Sequence, residues 1–440
     1  MNSSRQRKIA YLLAIVVLFT GIIGVGQWIQ WSADKNGLAQ KSLGKVNPIS
    51  GTAQLVFMGM RGVAVTFLWH EAIELKKHER WFEIRPVLES ITLLQPNFVN
   101  PWTFQAWNMA YNICAEWESV PDKYHWIREG IDFMKNAVET NKDKTDMEWY
   151  VGWLYHNRFG MSDEKTFLRD MFRNETDDNF ALAQSGIKDN FQVAYDWFGQ
   201  ANDTIRRLQE PPKSKGIMPF MTYPALAKSY YADLMQQEGT FGEKTKNAWR
   251  AGHNEWLEFG REGGPDKDED LKLRLEYSPE EWNKLTDTQR YWVDRYRGVV
   301  NYNSWKKRTA TESTDEMQEA REAFYNAEKD RKEGNYKKAI AEYEKAFPLW
   351  RQVMERDANM REDLTTIEDS QKYERNYLRL LRLLDQKLPA TRPFEGLFKP
   401  AEETPIAPAT DLKRDEPKPI EPKPAAERAE AKSKDAAKKE

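Results

Sequence analysis

Two His-Glu pairs, His70-Glu71 and His78-Glu79, lie in the stretch FMGMRGVAVTFLWHEAIELKKHERW, residues 57–81. Imidazole beside carboxylate is the raw material of a zinc site. A zincin helix needs His-Glu-x-x-His, which sets two imidazoles one turn apart. Here the two histidines fall about 80° off a common helical face, and Cys114 is the only cysteine. His125, His156 and His253 each follow a large aromatic residue or a glycine in helical surroundings and read as packing or surface residues. No metal and no cofactor are expected.

Other catalytic patterns are missing from the sequence. There is no Gly-x-Ser-x-Gly, no phosphate-binding glycine loop and no Gly-x-Gly-x-x-Gly. REGGPDKDEDLK, residues 261–272, lacks the order and length of a calcium loop. Glu280 and Glu281 are adjacent, point apart on a helix and read as capping charge after Ser278-Pro279. Cys114, in WNMAYNICAEW, has apolar neighbours and reads as an inert buried thiol. Asn174 and Asn202 open glycosylation triplets of a kind common by chance. Binding is therefore expected before catalysis, and an enzyme ranks third.

Helices must position whatever binds. The chain has 17 tryptophans among helix formers, and alternating Val, Ile and Thr runs are scarce. A net charge of -3 gives no general attraction to nucleic acid. The amino terminus reads as an anchor. Arg5, Arg7 and Lys8 precede a charge-free run, apolar from Ile9 to Ile29, against the roughly 20 residues that span a bilayer. Trp28 and Trp31 suit the far interface, and the basic flank places Met1 in the cytoplasm and the rest outside it, in the periplasm if the cell has two membranes. Cleavage is disfavoured by the long apolar run and by the sequence QWIQW that follows. From Leu388 the composition turns to Pro, Glu, Lys and Ala, and residues 388–440 read as a disordered tail.

Between these ends, hairpin-like patterns recur. In KEGNYKKAIAEYEKAFPLW, Ala339, Tyr343 and Ala346 share a helical face, with Gly334-Asn335 as the preceding turn. The helix before it begins at a Thr314 cap. This pair resembles a tetratricopeptide repeat, in which small residues let helices approach and a large residue fills the gap. It departs from that pattern at Asp330, where an aromatic is usual, and at Arg351, where the closing proline is expected. The same template fits Leu68, Ala72 and Leu75, then Ile84, Leu88 and Ile91 with Pro96 closing the unit. It continues at Trp102 and Ala106, at Val151, Gly152 and Tyr155, at Ala194, Phe198 and Ala201, and at Leu226, Ala227 and Tyr230. The period is irregular against the usual value of about 34 residues. Arg61-Gly62, Leu68-Trp69, Pro96 and WTFQAWNMAYN also resemble a family of bacterial membrane-anchored proteins with degenerate repeats of this kind. That resemblance covers about the first 160 residues and implies no chemistry.

The repeat register favours a helix of the repeat array for residues 57–81. Arg61 would cost roughly 2.5–3.5 kcal/mol at a bilayer centre, against a second span or re-entrant segment. A helix on the membrane surface is the remaining alternative. The expected protein is all-α: a transmembrane anchor (1–33), a linker (34–51), and degenerate repeats (52–256) with a polar insertion at 161–190. Further helices follow at 257–387, with a repeat-like hairpin at 314–355, and then the tail. Its expected role is a scaffold or adaptor for protein partners outside the cytoplasm. The alternative is a glycan- or cell-wall-binding module built on the stripe Trp102, Trp107, Trp117, Trp126, Trp149 and Trp153, which otherwise reads as core. Asn108, Asn112, Tyr150 and Asn157 lie off the buried positions of first helices. They are expected either to face a partner groove, where an amide can pair with extended backbone, or to be ordinary solvated residues.

Overall fold

The computed structural model describes residues 61–209, 212, 216–262 and 274–398, with parts of 11–31. Among the described residues there is no strand, only an isolated antiparallel bridge between Leu182 and Lys188. None of their helices is long and apolar enough to cross a membrane. The anchor expected over 9–29 lies largely outside the described residues; those that are described, such as Tyr11–Leu13, are helical and exposed. The linker, the start of the repeat region to residue 60 and the tail from 399 also lie outside them. The chain divides into two units, Met1–Pro393 and Phe394–Glu440. In the second, Phe394–Phe398 forms a turn whose two phenylalanine rings meet edge-on at 5.9 Å.

The first unit is a run of packed helix pairs. Helices α1 (Arg61–Lys77) and α2 (Trp81–Leu94) form a hairpin around Ala72, Ile84, Leu88 and Ile91, with Leu68 and Leu75 half-buried beside them. Glu79, in the left-handed region at φ 55°, turns the chain between the two. Pro96 is half-buried, and its carbonyl accepts a bond from Trp102 Nε1 at 2.8 Å. Helix α3 (Val99–Trp107) continues into a π-helical turn, Asn108–Ile113, and α4 (Val120–Thr140) packs back on it. Trp102 and Ala106 are buried here. A Cβ on Gly130 would sit 2.7 Å from the Ala106 carbonyl, so only glycine permits this approach.

Helix α5 (Thr145–Leu154) runs into a second π-helical turn, Tyr155–Phe159. Two short helices, α6 (Lys165–Arg173) and α7 (Asp178–Ala181), precede α8 (Asn190–Leu208), which pairs with α5. Val151, Tyr155, Ala194, Phe198 and Ala201 are all buried at this pairing. The segment read as a polar insertion, 161–190, contributes Leu168, Phe172, Phe180 and Ala181 to the same core. Its charged residues are arranged around that apolar set, so it is part of the packed body.

Then come α9 (Ile217–Met221), α10 (Tyr223–Gln237) and α11 (Glu243–Glu262). In α10, Ala227 is buried, while Leu226 and Tyr230 are half-buried. Helices α12 (Pro279–Lys284), α13 (Asp287–Val299) and α14 (Tyr302–Glu312) follow. Ser278 and Glu281 form a reciprocal capping box at α12. The hairpin of α15 (Asp315–Lys332) and α16 (Tyr336–Arg356) starts at Thr314, whose side chain accepts from Met317 N. It turns at Gly334 with φ 84°, a conformation that favours glycine. Ala339, Tyr343 and Ala346 are fully buried against α15. Helices α17 (Ala358–Glu362) and α18 (Leu364–Leu383) close the unit.

Close helix approach makes a mutational prediction. At Gly152 a Cβ would lie 2.8 Å from the Phe198 ring and 3.1 Å from the Ala194 carbonyl. Gly152→Leu is expected to lower unfolding free energy in urea by about 1–3 kcal/mol, by wedging α5 from α8. Lys337→Ala, on the exposed face of α16, should stay within about 0.5 kcal/mol. Equal effects from the two changes would show that the α5–α8 approach is not tight.

Candidate aromatic binding surface

Phe104, Trp107 and Tyr111 recur at i, i+3 and i+7 along α3 and its π-helical turn, and Tyr150 and Trp153 recur at i, i+3 on α5. Adjacent packing of the two helices joins these rings into one stripe. Phe104 lies 6.1 Å from Trp107, and Trp107 stacks on Tyr111 at 5.7 Å. Tyr111 stacks on Trp153 at 5.7 Å, and Trp153 on Tyr150 at 5.3 Å. All five rings are half-buried, so each spends one face on packing and keeps an edge or face toward solvent. Beside the stripe is a shallow, open hollow of about 380 Å³, lined by Trp69, Asn100, Thr103, Phe104, Trp107 and Tyr150. Its surface is almost wholly apolar, since four of the six lining side chains are aromatic, and the Thr103 hydroxyl donates back to the Asn100 carbonyl at 3.1 Å.

The π-helical turns hold the stripe in place. Each inserts a residue into the helical ladder, a feature that recurs at functional sites. Here they bring Tyr111 and Asn157 together, with the phenol donating to Asn157 Oδ1. Arg158 lies 4.4 Å over the Tyr111 ring, and its Nη2 is 3.3 Å from Cys114 Sγ. At the Phe104 end, Lys76 Nζ is 5.2 Å from the ring centre. Cations thus sit over one end and over the middle of the stripe, as the negative ring face favours. Burial raises the Tyr111, Tyr150 and Cys114 pKa values, even though Arg158 opposes the shift at Tyr111 and Cys114. All three stay protonated near neutral pH. The surface therefore offers stacking and shape, and none of these three groups is poised as a nucleophile.

The structure sorts the asparagines expected on a groove. Asn108 is a correction: it is fully buried. Its Nδ2 donates to the Trp81 carbonyl at 3.2 Å, and its Oδ1 accepts from Asn112 Nδ2 at 3.0 Å. The amide ties the π-helical turn to the start of α2, and the bond gives the buried Asn108 side chain the partner it needs. Asn112 and Asn157 are half-buried and partly committed to Asn108 and Tyr111. Tyr150 lies on the aromatic stripe. Of the tryptophans, Trp102 and Trp149 are core residues, Trp107 and Trp153 belong to the stripe, Trp126 is half-buried and Trp117 is exposed. Phe104 and Tyr111 were missed, although the i, i+3, i+7 spacing in WTFQAWNMAYN carries them. Among the described residues no group of three or more His, Cys, Asp or Glu side chains is placed to hold a metal ion.

Neither protein-family models nor curated protein sequences yield a match to this chain.

Proposed function

We propose that this protein is a membrane-anchored scaffold. In this reading its degenerate tetratricopeptide-like hairpins hold a partner protein outside the cytoplasm, and its role is binding rather than catalysis. The stacked stripe Phe104–Trp107–Tyr111–Trp153–Tyr150 carries the reading. Rigid aromatic rings give large contact area at low entropic cost, and such residues dominate binding energy at interfaces. The small residues at helix approaches, Ala106 against Gly130 and Gly152 against Ala194 and Phe198, fit the repeat family's way of pairing helices. The basic flank and apolar run at the amino terminus support the anchor.

A sugar ring could also stack on such a stripe. A sugar needs hydroxyl partners as well, and the hollow beside the stripe exposes almost none. An extended peptide with apolar or proline side chains suits it better, in the manner of aromatic grooves that take proline-rich segments. The test is affinity capture from membranes with the parent chain and with Trp107→Ala/Tyr150→Ala. Folding is checked by circular dichroism, and both proteins are also applied to immobilised glycans. The double variant is expected to lose its protein partners at least tenfold in yield while remaining helical. A folded variant with the same partners in the same yield would overturn the reading. Loss of glycan retention alone would favour the sugar.

A further inference from the structure

Helices α8 and α11 both pack on α10 and leave a polar groove of about 540 Å³ between them. Side chains bridge it at two points. Tyr195 Oη donates to Glu255 Oε1 at 2.6 Å, and Arg206 Nη2 meets Glu262 Oε2 at 2.5 Å. Glu255 and Glu262 are two turns apart, so roughly 10 Å of groove lies between the bridges. One wall of this interval is Gly199, where an added Cβ would meet nothing within 4 Å. The other is Glu258, exposed and without an ion pair among the described residues. Apolar atoms of Met221, Ala225 and Phe259 also line the groove.

The cations that line the groove, Arg206 and Arg207, are already paired, to Asp203 and Glu262 and to Asp143, and two further observations concern its acceptors. Asn202 lines it and is only 4% exposed. Its Nδ2 donates to the Met221 carbonyl at 3.2 Å, while its Oδ1 has no partner. A buried acceptor of this kind normally finds a donor. Asp196 and Glu255 are both held above the usual carboxylate range by burial. The nearby Lys228 is turned to Gln192 Oε1 at 2.7 Å and to the Tyr195 ring. These acceptors are spread along the groove instead of converging on a point, which suits an elongated cation better than a metal ion.

We propose that this groove binds a primary ammonium group on an aliphatic stem, carried either by a free diamine or by a lysine of a partner protein. The ammonium brings three donors to Glu258 and the neighbouring oxygens, and its stem lies along the apolar atoms beside Gly199. The groove is separate from the aromatic stripe, and the proposal stands without the scaffold reading. The test is calorimetric titration of the full chain in detergent with 1,5-diaminopentane, a capped lysine dipeptide and neutral 1,5-pentanediol. Saturable binding is expected for at least one amine and not for the diol; which amine binds identifies the source. Glu258→Gln should weaken it at least tenfold. Gly199→Leu should abolish it with no fall in thermal midpoint, since the space is empty and leucine is the better helix former. The absence of saturable binding by either amine would overturn the proposal. So would unchanged affinity in both variants.

Discussion

Replacing Arg169 by methionine is expected to cost about 3–5 kcal/mol of stability, the usual penalty for breaking a buried ion pair from one side. Arg169 is 1% exposed. Its Nη2 meets Asp189 Oδ2 at 2.8 Å, its Nε meets Glu238 Oε1 at 2.7 Å, and its Nη1 donates to Asn190 Oδ1. Burial works against the guanidinium charge, but Asp189 and Glu238 more than offset it and raise the Arg169 pKa. Asp189 is 3% exposed and also caps α8 by accepting from Phe191 N at 2.9 Å. Without Arg169, that carboxylate would be buried beside Arg173 alone, 3.7 Å away. Methionine keeps the apolar bulk, so the loss reports charge rather than volume. Arg207→Met is the control. Its pair with Asp143 leaves both side chains at least half exposed, and such pairs contribute about 0–1 kcal/mol. Urea unfolding of the two variants measures the contrast. A loss at Arg169 no larger than at Arg207 would show that the cluster is not stabilising.

Arg169 also shows where sequence reasoning reaches its limit. Helix pairs with strong periodicity were readable. Thr314, Gly334, Ala339 and Tyr343 define the α15–α16 hairpin, since cap, turn and packing face all agree. The Ser278–Glu281 box was readable for the same reason. Residues 161–190 were not, because their polarity hides what it encloses. Arg169, Asp189 and Asn190 look like surface residues until the fold brings Glu238 to them from α10's far end. Asn108 was misplaced for a related reason. Counting from Ala106 on an ideal helix gives no warning of the π-helical turn that begins at Asn108, nor of the Trp81 carbonyl that its amide reaches on α2. The stripe was half readable: its rings are periodic within each helix, but their joining across α3 and α5 depends on the tertiary pairing.

Between pH 6.5 and 4 the protein is expected to lose stability through one histidine, and His156→Phe is expected to remove that loss. His156 lies in the second π-helical turn, 6% exposed. Phe191 is 5.0 Å away and Tyr230 5.2 Å, with Phe198 and Tyr223 slightly further. Its Nε2 has no partner. Burial lowers its pKa to about 4 from the ordinary 6.5, because an imidazolium in this aromatic cage would lose its hydration. The folded state therefore binds the proton less readily than the unfolded chain. The contribution is complete above pH 6.5, declines as pH falls, and is gone below about 4. A depression of this size corresponds to roughly 3 kcal/mol over the window. Carboxylates titrate in the same range, but parent and variant share them, so they cancel in the difference. Phenylalanine is larger than histidine and could carry a constant overpacking cost of about 1–3 kcal/mol. That cost does not depend on pH. The measurement is the stability difference between parent and His156→Phe from urea unfolding at several pH values from 7.5 to 4. The expected difference is flat above 6.5 and then shifts steadily in favour of the variant. A difference that stays constant throughout would mean that His156 accepts its proton in the folded state as easily as in the unfolded chain.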